Sequence, residues 1–118
     1  MLKQHTISVR HAVDGLIWSL KTQPNYRIHL FLSVISIIAS VVYKVSYFEF
    51  LLIVFLITVG LVIETINTGF EQTTDAIDKK IREDIKIAKD VSAAAMLIYA
   101  IGATVIALII FIPKVLGL

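Results

Sequence analysis

Glu64, Asn67, Glu71 and Asp75 stand at i, i+3, i+7 and i+11 in the stretch Glu64-Thr65-Ile66-Asn67-Thr68-Gly69-Phe70-Glu71-Gln72-Thr73-Thr74-Asp75. At about 100° per residue they share one face of a helix. The stretch closes a long apolar run, and ionisable groups at the edge of a hydrocarbon layer are costly, so they are functional candidates. Two carboxylates with an amide between them suit metal-assisted group transfer. Glu71 can hold Mg²⁺, a hard cation that takes carboxylate oxygen and usually keeps phosphate oxygens as further ligands. Glu64 lies about two turns deeper, where partial desolvation suits a carboxylate to general-base work near pH 7. Asn67 can hydrogen-bond either carboxylate or a substrate. Lys89, followed by Asp90 at the mouth of the next apolar run, can meet phosphate as a point charge. On spacing alone, the same residues serve equally well as polar glue between helices or as the lining of an ion path.

The elements that must position these groups follow from composition and order. The chain has 118 residues, enough for one domain, of which 58% are hydrophobic. Mean hydropathy is +0.87. Soluble domains sit nearer 45–50% apolar, so this is a membrane composition. The chain has no cysteine, which excludes disulfides and thiolate metal sites. The formal net charge is only +2, and nothing in it asks for a nucleic-acid partner. No cleavable signal peptide is visible in Met1–Arg10. An all-α integral membrane protein is therefore expected, a single membrane domain over residues 1–118. It should comprise an amphipathic interfacial helix at 7–22 and three transmembrane helices.

The 7–22 stripe of Ile7, Val9, Val13, Leu16, Ile17 and Leu20, with Trp18 near the headgroups, predicts the interfacial helix. Pro24 breaks it, and Asn25 can cap the next helix. The first span is expected at 27–44, flanked by Tyr26, Arg27 and His29 at one end and Tyr43 and Lys44 at the other. The second is expected at 47–70, running on as helix to about 85. The third is expected at 91–113, with a small-residue first half (Ser92, Ala93, Ala94, Ala95) suited to close helix packing. Lys3, Arg10, Lys21 and Arg27 lie before the first span, and Lys79, Lys80, Arg82, Lys86 and Lys89 lie between the second and third. Only Lys44 and Lys114 fall on the other side. Positive-inside asymmetry then puts the N-terminus and the charged loop in the cytoplasm, where ATP is available. No Gly-x-x-x-x-Gly-Lys-[Ser/Thr] loop and no soluble-kinase signature set are present.

The Glu64–Asp75 stretch resembles the signature of the prokaryotic diacylglycerol kinase family, Glu-x-x-Asn-[Thr/Ser]-Ala-x-Glu with Asp four residues on. Ala88-Lys89-Asp90-Val91-Ser92-Ala93-Ala94-Ala95 resembles the family's Ala-Lys-Asp followed by small residues, at a matching distance from Glu71 with no gap. Gly15-Leu16 and Asn25-Tyr26-Arg27-Ile28-His29 are similar to elements of Gram-positive members. The resemblance covers roughly residues 9–112. It implies a small trimeric enzyme of the bacterial cytoplasmic membrane, a homotrimer whose neighbouring chains share active sites. Such an enzyme phosphorylates a lipid hydroxyl with ATP and Mg²⁺. By position it implies that Glu64 is the general base and Asn67 its polar partner. Glu71 becomes a Mg²⁺–nucleotide ligand, Lys89 and Asp90 belong to the nucleotide site, and Asp75 supports them. Enterobacterial members carry a Glu metal ligand where this chain has His29, so His29 stands as a candidate second ligand, though a poorer one for Mg²⁺. Many relatives have an acidic residue near Gln23, and Gly69 replaces the usual Ala.

A lipid kinase acting on diacylglycerol or undecaprenol is thus the leading expectation, with undecaprenol favoured because His29 follows the Gram-positive pattern. The alternative is a small oligomeric transporter or channel with intramembrane carboxylates. Such a path needs polar groups through the bilayer, whereas here they cluster at one surface. An inactive scaffold is disfavoured by the intact set Glu64, Asn67, Glu71, Lys89 and Asp90.

Overall fold

The structure is a computed structural model describing residues 1–118, and it contains four helices and no strand. These are α1 (Leu2–Thr22), α2 (Pro24–Val42), α3 (Tyr47–Ile77) and α4 (Glu83–Val115). The last three are long and apolar enough to cross a membrane. α3 is the centre of the bundle: α2 and α4 pack along it, and α1 touches both α2 and α3.

The α1–α2 joint follows from proline. Gln23 is held extended (φ −106°, ψ 107°) because the ring of Pro24 crowds the helical region for the residue before it. Pro24 then sits in the first turn of α2, where its missing N–H costs nothing. Gln23 is therefore the N-cap, and Asn25, the expected cap, lies inside the helix. Arg27 Nη2 donates to the carbonyl of Lys21 at 3.1 Å and ties the two helices at the corner.

α2 ends in a Schellman arrangement. Lys44 adopts a left-handed φ of 50°, the N–H of Val45 reaches the carbonyl of Ser40, and that of Lys44 reaches Val41. α3 then opens on a capping box. The Ser46 hydroxyl accepts from the Glu49 N–H, and the Glu49 carboxylate accepts from the Ser46 N–H.

α3 has 31 residues and is about 46 Å long at 1.5 Å per residue. A hydrocarbon core of about 30 Å takes up roughly 20 of them, so a span begun at Tyr47 reaches the far boundary near Glu64–Asn67. The helix does not run to about residue 85 as its periodic isoleucines suggest. It stops at Ile77, and Asp78 turns extended (φ −159°, ψ 127°) with its side chain accepting the Lys80 N–H at 2.9 Å. This local side chain–backbone bond competes with continued helix. α4 starts at Glu83, eight residues before the charge-free run, because Glu83 and Asp84 complement the positive end of its dipole. α1 likewise begins at Leu2 rather than at residue 7.

The interior is small. Tyr26, Ile53, Ile85 and Ile110 are its buried hydrophobic residues, and the outward faces of the spans are apolar and exposed. That is the composition expected where lipid rather than protein covers most of a helix. Halfway along α3, the Tyr99 ring of α4 lies on Gly60, and its hydroxyl hydrogen-bonds the Leu56 carbonyl.

Candidate active site

The polar row runs along the last four turns of α3. Glu64 is 4% exposed and Asn67 is 7% exposed, so both point into the bundle despite their polarity. Glu64 Oε2 lies 3.5 Å from His29 Nε2, which α2 supplies. One turn on, Asn67 Nδ2 donates to Glu71 Oε1 at 3.4 Å, a long contact. On its other side Asn67 Oδ1 accepts from the Ser92 hydroxyl of α4 at 2.7 Å. One turn further, Asp75 Oδ1 accepts from Lys89 Nζ at 2.5 Å, joining the ends of α3 and α4. All three spans thus deliver groups to one line: His29 from α2, the row itself from α3, Ser92 and Lys89 from α4.

The placement of the individual candidates is uneven. Glu64, Asn67, Glu71 and Asp75 line one face of α3 in three separate sets of contacts, His29 with Glu64, Ser92 and Glu71 with Asn67, and Lys89 with Asp75. Asp90 joins none of them, because its carboxylate pairs with Lys86 at 2.5 Å and both side chains are more than 60% exposed. His29 is set beside Glu64, whereas Glu71 has Asn67 as its partner. No group of three or more His, Asp or Glu side chains gathers as a ready cation cage. Two contributors escaped the sequence reading. Ser92 looked like one more small packing residue, and Tyr26, buried at 4% with its hydroxyl 3.3 Å from that of Thr65, looked like an interfacial anchor. Only the neighbourhood of Lys89 and Asp90 hinted at Ser92, and no pattern hinted at the Tyr26–Thr65 contact.

Clefts flank the row on several sides. A groove of about 820 Å³ lies between α1, α2 and α3, reaching Trp18, Tyr26, Thr65 and Gly69. A narrower one of about 320 Å³ runs between the three spans from His29 past Gly60 and Tyr99 to Phe111. Both are lined mainly by apolar side chains and methyl or methylene groups. The site is therefore a polar line with apolar approaches, ending in the charged Asp78–Glu83 segment. Such an arrangement can meet an amphiphile from the hydrocarbon side and an anion from the water side.

The family model for prokaryotic diacylglycerol kinase matches residues 10–111, which contain the whole row. The chain is 32% identical over 104 residues to undecaprenol kinase of Bacillus subtilis, covering 88% of this chain and 85% of that one. It is 30% identical over 113 residues to diacylglycerol kinase of Synechocystis sp., covering 95% of this chain and 65% of that longer protein.

Proposed function

Since the chain belongs to the prokaryotic diacylglycerol kinase family and is a multi-pass membrane lipid kinase, we propose that it transfers the γ-phosphoryl group of ATP to the hydroxyl of a membrane lipid alcohol, undecaprenol ahead of diacylglycerol. The transporter alternative falls with that membership. One observation carries the mechanism: a buried carboxylate, Glu64, stands at the hydrocarbon end of a row whose other end is a lysine–aspartate pair in the charged region.

In this reading the lipid hydroxyl reaches Glu64 from the apolar side and gives its proton to the Glu64 carboxylate. The lipid oxygen forms a bond to the γ-phosphorus, the bond from that phosphorus to the β–γ bridging oxygen breaks, and ADP leaves with the electron pair. His29 orients the Glu64 carboxylate, a role its 3.5 Å contact supports better than metal ligation beside Glu71. Asn67 holds Glu71. Lys89, kept in place by Asp75, offers its ammonium to the phosphates as a point charge. Asp90 borders the nucleotide without touching the row.

A single carboxylate at Glu71, with one weak amide contact, fits an ion that takes most of its ligands from phosphate and water, as Mg²⁺ does. When bound there, Mg²⁺ would neutralise charge on the transferring phosphoryl group. We extend the reading to the cytoplasmic face of the bacterial cytoplasmic membrane, which the Lys and Arg distribution supports. We extend it also to a homotrimer with shared sites, which the sequence resemblance supports and the single contact at Glu71 leaves room for.

The test is transfer of label from γ-labelled ATP by the purified protein to undecaprenol and to diacylglycerol, each presented in the same vesicles. Mg²⁺-dependent labelling of undecaprenol at the higher kcat/KM is expected. A preference for diacylglycerol would reverse the substrate order, and no labelling of either would reject the substrate class.

A further inference from the structure

Serine and threonine hydroxyls within α-helices have a default partner, the carbonyl four residues back. Thr6, Ser8, Ser33, Ser36, Thr58 and Thr73 all use it here. Ser92 does not. Its hydroxyl leaves α4 and donates to Asn67 Oδ1 on α3, 25 positions away, at 2.7 Å. The Asn67 amide turns its NH₂ toward the Glu71 carboxylate at 3.4 Å, and its oxygen faces the Ser92 hydroxyl. Asn67 is 7% exposed, and the cleft of about 480 Å³ next to it is walled by Ile63, Ile66, Phe70, Ala88 and Val91. None of these side chains has a donor to replace the serine hydroxyl.

We infer that Ser92 is a positioning residue for phosphoryl transfer: its hydroxyl fixes the flip of the Asn67 amide and so aims the Glu71 carboxylate. Ser92 touches neither substrate nor nucleotide in this role and acts through Asn67. The inference rests on the reading of Glu71 as the Mg²⁺–nucleotide ligand. Loss of the hydroxyl frees the amide to rotate, and Glu71 loses its one oriented donor. Outer partners of this kind typically change metal affinity or activity by about 10–100-fold. The expected effect here is at the lower end, about a tenfold rise in the KM for MgATP with little change in the KM for lipid.

The chain contains two asparagines, Asn25 and Asn67, so protein labelled with ¹⁵N-asparagine shows two side-chain amide pairs, and Asn67→Ala assigns them. Spectra of nucleotide-free protein in micelles report the amide without reference to turnover. Ser92→Thr and Ser92→Val differ in a hydroxyl but not in shape, which removes packing from the comparison. The threonine variant should keep the Asn67 pair in place and the MgATP KM near the parent's. The valine variant should shift the Asn67 pair, leave the Asn25 pair unmoved, and raise the MgATP KM. An Asn67 pair that is the same in both variants would overturn the hydrogen-bond assignment. A shifted pair with an unchanged MgATP KM would overturn the positioning role. Glu71→Gln, run alongside, separates a further failure: if it too leaves the MgATP KM unchanged, the reading of Glu71 is at fault, while the amide spectra still report on Ser92.

Discussion

The two ends of α3 carry the same chemistry and treat it in opposite ways. At the N-terminal end, both carboxylate oxygens of Glu49 are occupied: one accepts the Ser46 N–H at 2.7 Å, the other the Lys114 ammonium at 2.9 Å. Each oxygen thus has a short, well-formed partner, and Glu49 ties the start of α3 to the end of α4. At the C-terminal end, Glu64 has only a 3.5 Å approach from His29, and Glu71 only a 3.4 Å contact from Asn67. Carboxylates held in a bundle but short of partners retain accepting capacity for something else. An acidic residue at a membrane boundary is thus not in itself a site. What distinguishes the two ends is whether the fold has already satisfied the charge.

Neutralising each end separates the two most sharply. Glu64→Gln keeps shape and hydrogen-bonding capacity but removes the carboxylate proposed to accept the proton, and general-base contributions run to about 10²–10⁴-fold in rate. Turnover of labelled ATP onto lipid should fall by that order with the protein still folded. Glu49→Gln should leave turnover near the parent's and lower the thermal midpoint slightly. Equal activity in both variants would erase the distinction between the ends. Next in size is Lys89→Ala. Removing a charge aimed at transferring phosphate costs about 10²–10³-fold where that group is preorganised. It also leaves Asp75 without its cation. Lys114→Ala breaks the corresponding pair at the other end and should cost stability without comparable loss of rate. The measurement is kcat/KM for MgATP beside a melting curve for each variant.

The same contrast shows what a sequence reveals and where it stops. The placement of Glu64, Asn67, Glu71 and Asp75 on one face follows from helical period alone, and the three spans follow from runs of apolar residues too long for anything else. Those are properties of one helix at a time. The partners across helices are not written in any local spacing: His29 meets Glu64 over 35 positions, Ser92 meets Asn67 over 25, and Lys114 meets Glu49 over 65. They depend on the rotation of each helix about its axis, which packing decides. The break at 78–82 was hidden for a different reason. Ile77, Ile81 and Ile85 recur every four residues, and the period suggests a helix straight through. The local bond from Asp78 to the Lys80 N–H and the acidic start of α4 outweigh it.

The two internal glycines of α3 extend the comparison to packing. Gly60 lies in the closed part of the helix: a Cβ there would come within 2.6 Å of the Tyr99 hydroxyl and 2.7 Å of its ring. Gly60→Ala must therefore push the Tyr99 ring off α3, and overpacking of this kind costs about 1–3 kcal/mol. Unfolding in mixed micelles should shift accordingly.

Gly69 lies in the open part, between Asn67 and Glu71, and a Cβ there meets nothing within 4 Å. It has the same backbone conformation as Gly60, inside the same helix, so the difference between them is purely one of neighbours. In a helix interior, alanine is favoured over glycine by about 0.5–1 kcal/mol, mainly because glycine has more backbone freedom to lose on ordering. With no steric term to offset that gain, Gly69→Ala should stabilise the protein by about that amount in the same unfolding measurement. Gly60→Ala should destabilise it. The stiffer last turns should leave the Asn67–Glu71 contact intact, so kcat/KM for MgATP should stay within about twofold of the parent's, well below the effect of losing a transition-state contact. A destabilised Gly69→Ala would mean that the open side of α3 is covered in the assembled protein, where a partner chain occupies the space that this single chain leaves free.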